Sequence, residues 1–266
     1  METITLNNGA RMPMVGLGTW QLRGEEGERA VLDALELGYR LLDTARMYEN
    51  EAMVGSAVKK SGLPRRELFI TTKLFAPSAG YQKAKKDIAR SLEALQTDYI
   101  DLLLIHEPCE AAPEMYRAME EACAAGLVRA VGLSNFSGQE YLAFLKHCRV
   151  TPAVDQVEAH VYHPQLGLKK LLEEKGTRMQ AWSPFTQGRR NIFADPVLTE
   201  AGRRHGKTAA QAALRYLVEQ GVPALPKSAH RARLRENLDI FDFSLTAGER
   251  AAIATLDEGR SLFGWF

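Results

Sequence analysis

Cysteine is scarce in this chain, and its few thiols follow no pattern. The 266 residues include only Cys109, Cys123 and Cys148, and no two of them have the CxxC spacing. An odd and scattered set of thiols argues against a disulfide framework and against a zinc site, and it is typical of a reducing compartment. We therefore expect a cytoplasmic protein without a bound metal.

An excess of charge of one sign, a targeting segment and a long apolar run are also lacking. The formal net charge is +1, and basic residues are interspersed with acidic ones, so no surface for nucleic acid or a membrane is indicated. The chain starts with Met1-Glu2-Thr3 without the basic and apolar segments of a signal peptide, and no apolar run approaches a membrane span. We expect no nucleic-acid or membrane partner, and a monomer or a weak homo-oligomer.

What the chain does contain is a repeated order of strand, loop, amphipathic helix and glycine. Most of the predicted strands start roughly 25 to 30 residues apart, the length of a βα unit. Eight such units without a linker rich in Pro, Gly or Ser predict a single domain over residues 1–266, a (β/α)8 TIM barrel. The predicted strands begin near Val15, Tyr39, Leu68, Tyr99, Val128, Pro152, Arg178 and Val222.

Both ends of the chain carry additions to this barrel. Asn7-Asn8-Gly9 lies between two short strand-like segments and predicts an N-terminal hairpin. Extra C-terminal helices are expected after the eighth unit, one of them from Thr246 to Leu256. An open doubly wound sheet is the structural alternative, but the one glycine cluster, Gly16-Leu17-Gly18, lacks the third glycine of a dinucleotide-binding fingerprint.

Three successive predicted strands end in residues with acid–base chemistry. Asp43 ends one strand, Lys73 ends the next and His106 ends the third, while Tyr48 follows in the loop after Asp43. The C-terminal ends of barrel strands face one another, so these four side chains should converge. Taken singly, each has a structural explanation, because a buried Asp–Lys pair more often serves the fold. Together they predict a catalytic site.

A lysine beside a tyrosine would make the phenol a stronger acid. An ammonium about 4 Å from the phenol contributes on the order of 4 kcal/mol at an effective dielectric constant of 20. That energy is equivalent to roughly three pKa units. We therefore predict that Lys73 lowers the pKa of Tyr48, and that Tyr48 donates a proton to a carbonyl oxygen. Asp43 would orient Lys73, and neutral His106 would bind the same carbonyl oxygen.

Short motifs along nearly the whole chain match those of one enzyme family. They are Gly16-Leu17-Gly18-Thr19-Trp20, Leu42-Asp43-Thr44-Ala45 with Tyr48, Thr72-Lys73, Asp98-Tyr99-Ile100-Asp101-Leu102 with His106, Val131-Gly132-Leu133-Ser134-Asn135-Phe136, Gln156 and Pro226-Lys227-Ser228. In these motifs the chain resembles the aldo-keto reductases. The resemblance implies a (β/α)8 barrel that reduces aldehydes and ketones with NADPH. It also implies a catalytic tetrad, namely Asp43, Tyr48, Lys73 and His106.

The resemblance further implies a set of residues that bind NADPH or NADP⁺. Trp182 takes the position of the aromatic residue that stacks on the nicotinamide, and the loop from Ser183 onward would lie over the pyrophosphate. Lys227 and Arg233 near the start of a helix also suit a 2′-phosphate, which favours NADPH over NADH. The implied contacts are Gly18, Thr19, Trp20, Ser134, Asn135, Gln156, Trp182, Ser183, Phe185, Lys227, Ser228, Arg233, Glu236 and Asn237.

The substrate end departs from the family pattern. Many members carry Trp-Pro after the histidine of the tetrad, whereas this chain has Glu107-Pro108, and its tail after Leu262 is short. We expect an open pocket for a small-molecule carbonyl substrate, over which Trp265 and Phe266 could close. The segments Ile240–Phe243 and Leu256-Asp257 resemble the bacterial and protozoan branch that acts on small aldehydes, dicarbonyls and keto-sugars. The expected lining residues are Trp20, Met47, Phe75 and Glu107.

Two functions of other classes remain as alternatives. The first is a Schiff-base aldolase with Lys73 as the nucleophile, which is opposed by Asp43 because a carboxylate would keep the amine charged. The second is a non-catalytic interaction subunit that binds a nucleotide, which is opposed by the intact tetrad.

Overall fold

A closed parallel barrel forms the body of the protein. The computed structural model describes residues 2–265, and within them eight parallel strands are hydrogen-bonded in chain order. The first and last of these strands meet at a bridge between Val15 and Ala224, supported by bonds from Gly16 N to Ala224 O (3.0 Å) and from Ala224 N to Met14 O (2.9 Å). The barrel is therefore closed, which confirms the (β/α)8 prediction and excludes the open doubly wound sheet.

The strands begin at or just after their predicted starts. An antiparallel hairpin of β1 (Thr3–Thr5) and β2 (Arg11–Pro13) precedes the barrel, as the Asn-Asn-Gly turn predicts. The barrel strands are β3 (Leu17–Gly18), β4 (Leu41–Asp43), β5 (Phe69–Leu74), β6 (Ile100–Ile105), β7 (Val128–Ser134), β8 (Val154–Glu158), β9 (Arg178–Trp182) and β10 (Ala224–Leu225).

Helices alternate with these strands and form the outer layer. They are α1 (Gly24–Leu37), α2 (Glu51–Lys60), α3 (Tyr81–Leu95), α4 (Ala112–Ala124), α5 (Gly138–Phe144), α6 (Leu166–Glu174), α7 (Pro196–Arg204), α8 (Ala209–Glu219), α9 (Arg231–Leu238) and α10 (Ala247–Ala254). Short 3₁₀ turns occupy Arg46–Tyr48, Arg65–Glu67, Ala76–Ser78, Thr186–Gly188 and Ile192–Ala194. Helix α7 is an insertion between β9 and α8, and α10 is the predicted C-terminal addition.

Local sequence signals explain where these helices begin and end. Helix α1 ends at Gly38, whose φ of 107° lies in the left-handed region that glycine adopts without strain. Helix α5 begins with the predicted capping box, in which the Ser137 hydroxyl accepts from Glu140 N and the Glu140 carboxylate accepts from Ser137 N. These two signals keep the connections from α1 to β4 and from β7 to α5 short.

Apolar side chains fill both the barrel and the space between the strands and helices. Inside the barrel, Leu41, Leu102 and Leu104 pack with Leu6 and Met12, which places the hairpin under the N-terminal end of the barrel. A cavity of about 270 Å³ lies at this end, beside the hairpin. The functional sites of such barrels form at the opposite, C-terminal mouth. No helix in the described part of the chain combines the length and apolar character that crossing a membrane requires.

Candidate active site

The structure brings the four residues of the tetrad together at the C-terminal mouth of the barrel. Asp43 is the last residue of β4, Lys73 lies near the end of β5, and His106 directly follows β6. Tyr48 ends the 3₁₀ turn that follows β4. Its ring lies 5.6 Å from the His106 ring, measured between centroids, in an edge-to-face arrangement. Strand ends and one short turn therefore supply the whole cluster.

Lys73 is the centre of this cluster and is fully buried. Its ammonium group donates to Asp43 Oδ1 (2.5 Å), to the Thr44 carbonyl oxygen (3.2 Å) and to Tyr48 Oη (3.3 Å). A lysine has three N–H donors, so all of them have a partner here. The second carboxylate oxygen of Asp43 accepts from Gln156 Nε2 (2.7 Å). The pair is consequently held in one geometry from both sides.

The predicted direction of the Tyr48 pKa is wrong. Burial raises the pKa of the Tyr48 phenol, the charge of Lys73 lowers it only in part, and the charge of Asp43 raises it further. The sequence-based expectation considered the attraction of the ammonium but not the larger cost of placing a phenolate in a buried site. Tyr48 is therefore a protonated phenol at neutral pH, which is the form that a proton donor requires.

The pKa of Lys73 lies above its ordinary value. Burial acts to lower this pKa, but the charges of Asp43 and Tyr48 and the hydrogen bonds to them outweigh it. Lys73 is therefore an ammonium group. A protonated and fully bonded amine is not a nucleophile, so this geometry opposes the Schiff-base alternative.

His106 is neutral in this site. Burial lowers the pKa of its imidazole to about 3, and the neighbouring charge of Lys73 acts in the same direction. Its Nδ1 atom is buried and has no hydrogen-bond partner within residues 2–265. The backbone oxygen of His106 accepts from Asn135 Nδ2 (2.9 Å), which connects the histidine to the end of β7.

A cavity of about 550 Å³ opens beside this cluster at the mouth of the barrel. Asp43, Tyr48 and His106 line it, whereas Lys73 lies behind them. Most of the residues expected to bind the cofactor also line it. They are Gly18, Thr19, Trp20, Ser134, Asn135, Gln156, Trp182, Ser183, Phe185 and Lys227.

Polar groups on neighbouring strand ends hold one another in this wall. Ser134 Oγ donates to the Gln156 carbonyl oxygen (2.8 Å), and Trp182 Nε1 donates to Asn135 Oδ1 (2.8 Å). Asn135 has a φ of 63°, in the left-handed region, so the chain turns sharply after β7. The result is an array of amide and hydroxyl groups next to an indole ring.

The remaining residues of the expected cofactor site lie beyond the cavity wall, around the start of α9. Ser228 is buried and its hydroxyl accepts from His230 N (3.0 Å), whereas Arg233 is exposed in the first turn of α9. Glu236 accepts from Thr208 Oγ1 (2.6 Å), and Asn237 is buried. Of the expected substrate-lining residues, Trp20 and Met47 line the cavity, but Phe75 and Glu107 do not.

The C-terminal tail supplies one wall residue that the sequence did not indicate, Phe263, beside Trp265, which was expected to close over the pocket. Phe263 lines the cavity with Trp265, and its ring lies 5.1 Å from the Trp182 ring, measured between centroids. Glu158 holds the tail, because its carboxylate accepts from Ser261 Oγ (2.5 Å) and from Leu262 N (2.8 Å). Glu158 is a carboxylate at a strand end, as Asp43 is, and that signal could have identified it. Phe266 lies outside the described residues.

No metal site accompanies this cavity in the part of the chain that the structure describes, since residues 2–265 contain no group of three or more His, Cys, Asp or Glu side chains that could hold an ion. The side chains that face the cavity include a phenol, an imidazole, amides and aromatic rings.

Comparison with known proteins gives a family and a set of relatives. The model of the aldo/keto reductase family matches residues 14–258. The chain is 42% identical over 263 residues to 2,5-diketo-D-gluconic acid reductase B of Corynebacterium sp. (strain SHS752001), covering 98% of this chain and 95% of that protein. It is 39% identical over 259 residues to glyoxal reductase of Bacillus subtilis (strain 168), covering 97% and 93%. An aldo-keto reductase enzyme from a Medee basin deep-sea metagenome library superposes with a TM-score of 0.97 at 35% identity, covering 99% and 98%.

Proposed function

This chain belongs to the aldo/keto reductase family, and from that premise we propose that it reduces small aldehydes, dicarbonyls or keto-sugars with NADPH, using Tyr48 as the general acid. Family membership makes it an oxidoreductase that converts carbonyl groups to alcohols with a nicotinamide cofactor. The observation that carries the finer proposal is the contact between Tyr48 Oη and Lys73 Nζ (3.3 Å) at the wall of a cavity of about 550 Å³.

The cavity wall fits a nicotinamide dinucleotide. Trp182 offers a flat aromatic face, and the amide of Asn135 and the hydroxyl of Ser134 lie next to it, so a planar ring with a carboxamide has both stacking and polar partners. Lys227 lies in the same wall and leads to α9. When bound, the reduced nicotinamide supplies a hydride.

The tetrad can supply the proton that carbonyl reduction also needs. Burial keeps Tyr48 protonated, so the phenol has a proton to donate to a carbonyl oxygen in the cavity. The ammonium of Lys73 already donates to the phenol oxygen and would stabilise the phenolate left behind. Neutral His106 lies beside Tyr48 and can hydrogen-bond the same carbonyl oxygen, which would fix the substrate for proton transfer.

The preference for NADPH over NADH rests on two cations near the expected adenosine end. Lys227 and Arg233 are exposed, and neither takes part in an ion pair within residues 2–265, so both are available to a 2′-phosphate. Arg231 lies on the same helix but pairs with Asp33 (2.6 Å) and Glu36 (2.7 Å) on α1, which makes it a structural residue. A phosphate dianion between a lysine and an arginine gains charge-assisted hydrogen bonds.

The proposed substrate class rests on the relatives and on the wall of the cavity. Two relatives are named for the reduction of glyoxal and of 2,5-diketo-D-gluconic acid, both of which contain more than one carbonyl group. The cavity is also lined by the apolar side chains of Trp20, Met47, Phe263 and Trp265. Such a wall can accept small carbonyl compounds of varied shape, because aromatic and methionine side chains make few directional demands.

The experiment that tests this proposal is NADPH consumption over a panel of aldehydes, dicarbonyls and keto-sugars, with the wild type and Tyr48→Phe side by side. We expect several panel members to be reduced by the wild type and the variant to lose about 10² to 10⁴ in turnover, the range of general-acid catalysis. The variant should still bind NADPH with unchanged affinity, measured by quenching of protein fluorescence. Equal turnover of the two proteins would refute the role of Tyr48.

A further inference from the structure

A shielded ion-pair cluster holds the turn that carries Tyr48 from outside the barrel. Arg46 begins this turn, two residues before Tyr48, and its two terminal nitrogens lie 3.6 Å from Glu51 Oε2 on α2 and 3.2 Å from Asp87 Oδ1 on α3. The Arg46 side chain is 20% exposed, and the two carboxylate side chains are 6% and 9% exposed. Ion pairs that are shielded to this degree are screened little by solvent.

Both carboxylates of the cluster are also bonded to the segment that carries Lys73. Glu51 Oε1 accepts from the hydroxyl of Thr72 (2.6 Å), which directly precedes Lys73 in β5. Asp87 Oδ2 accepts from Ser78 Oγ (2.7 Å), in the turn that follows β5. Arg46 is therefore the cation that joins the turn of Tyr48 to the strand of Lys73.

The inner side of the same turn has a different anchor. The amide of Asn50 donates to the backbone oxygens of Thr19 (2.8 Å) and Leu22 (3.0 Å), and its Oδ1 accepts from Thr44 Oγ1 (2.6 Å). These bonds fix the two ends of the turn against the loop after β3. Within residues 2–265, the ion pairs that join this turn to α2 and α3 are those of Arg46.

Building on the proposed function, we propose that Arg46 is a positioning residue for Tyr48, which sets the distance of 3.3 Å between Tyr48 Oη and Lys73 Nζ. An arginine suits this task because its planar fork can bind two carboxylates at once and stays charged at every working pH. A shift of the turn by even about 1 Å would weaken the contact between phenol and ammonium and misplace the proton donor, at a cost of up to roughly 100-fold in rate.

Arg46 and Arg90 form a matched pair for the experiment. Both contact Asp87 Oδ1, Arg90 at 3.1 Å, but the Arg90 side chain is 67% exposed and belongs to α3 itself, so it does not touch the turn. We expect Arg46→Met to lower kcat roughly 10- to 100-fold, with KM and the NADPH dissociation constant changed less than about twofold. Arg90→Met should leave kcat, KM and the NADPH dissociation constant unchanged. Arg46→Lys should recover kcat only in part, because it keeps the charge but lacks the planar fork that reaches both carboxylates.

A direct measurement of Tyr48 separates positioning from a general loss of structure. In protein labelled with ¹³C at the phenol carbon of tyrosine, the Tyr48 signal is assigned by its loss in Tyr48→Phe and followed by NMR as the pH rises. If Arg46 sets the contact with Lys73, the Tyr48 signal in Arg46→Met titrates at a higher pH than in the wild type and in Arg90→Met. An unchanged Tyr48 titration overturns the proposal, even if Arg46→Met is less stable or less active.

The same measurement distinguishes failure of this inference from failure of the proposed function. If no carbonyl compound of the panel consumes NADPH with the wild type, the proposed function fails, yet the Tyr48 titration still tests Arg46 because it needs no turnover. If the wild type is active and Arg46→Met has the same kcat and the same Tyr48 titration, only the role of Arg46 fails.

Discussion

Two buried carboxylates, one at each end of the barrel, are paired with a cation in almost the same way. At the C-terminal mouth, Asp43 lies 2.5 Å from Lys73, and at the N-terminal end Asp101 lies 2.6 Å from Arg65. The two carboxylate side chains are 5% and 3% exposed. A buried ion pair is thus common to both ends and does not by itself identify an active site.

The cations make the difference between the two ends. Arg65 uses other N–H donors on Thr97 Oγ1 and on the backbone oxygens of Leu68 and Tyr99 (2.8 to 2.9 Å), and an arginine cannot give up its proton. Lys73 instead gives one donor to a phenol that faces a cavity of about 550 Å³. A pair becomes a candidate site when one of its groups bonds a proton carrier at a cavity wall, whereas a pair whose donors reach no such group serves the fold.

The largest expected effect comes from breaking the pair at the mouth. In Lys73→Met we expect kcat to fall by about 10³-fold, because the phenolate formed when Tyr48 gives up its proton would have no cation beside it. NADPH affinity should change only a few-fold, since Lys73 lies behind the cavity wall. Steady-state kinetics and a fluorescence titration measure the two quantities. A loss in kcat of less than tenfold would mean that Lys73 serves the fold, as Arg65 does, and not the reaction.

The pair at the N-terminal end should respond in the opposite way. Asp101→Asn removes the negative charge between Arg65 and Arg129, so that both guanidinium groups lose the carboxylate with which they are paired. We expect the free energy of unfolding in urea to fall by about 3 kcal/mol, as for other shielded pairs that lose one partner. The folded variant should keep its kcat within about twofold. A selective loss of kcat at full stability would mean that this end takes part in the reaction.

Residues at the rim of the mouth should change ligand affinity rather than stability. We expect Lys227→Ala combined with Arg233→Ala to weaken NADPH binding by about 2 kcal/mol, or roughly 30-fold, because two charge-assisted contacts to a phosphate are lost. NADH binding should change less than about threefold. Arg235→Ala, which removes another exposed cation from α9, is the control. Equal weakening of NADPH and NADH would refute the 2′-phosphate role.

The sequence predicts the barrel well because its signals are local. Each βα unit repeats the same pattern, and left-handed glycines such as Gly38 and Gly62 mark helix ends that precede a strand. Strand ends also indicate which side chains meet at the mouth, since parallel strands of a barrel finish at the same face. The tetrad could be placed together for that reason, without knowledge of a single contact.

Other features of the site depend on contacts between segments that are distant in sequence. The direction of the Tyr48 pKa follows from how deeply the phenol is buried, which spacing along the chain does not indicate. The bonds of Glu158 to the tail and of Arg46 to Asp87 join residues far apart in the chain. Phe75 and Glu107 lie in loops after strand ends, and the path of a loop decides whether a side chain reaches the cavity.

The smallest expected effect concerns the pH dependence of stability at the mouth. Burial lowers the pKa of His106 to about 3, below the value of about 6.5 expected in the unfolded chain. Between these values the unfolded state binds more protons, so the stability contributed by neutral His106 is complete above about pH 6.5 and is lost as the pH falls. Replacing the histidine should therefore make unfolding less sensitive to acid.

In His106→Asn we expect the fall in unfolding free energy between pH 6.5 and 5.5 to be about 1 kcal/mol smaller than in the wild type. His163 is the control, because burial also lowers its pKa but it does not line the cavity. His163→Asn should also reduce the fall in unfolding free energy at acid pH, but it should leave kcat/KM unchanged. His106→Asn should lower kcat/KM as well. Urea titrations at several pH values and initial rates measure both quantities. If the fall in unfolding free energy at acid pH is the same in His106→Asn as in the wild type, the imidazole is charged in the folded protein. A neutral His106 could then no longer be part of the site.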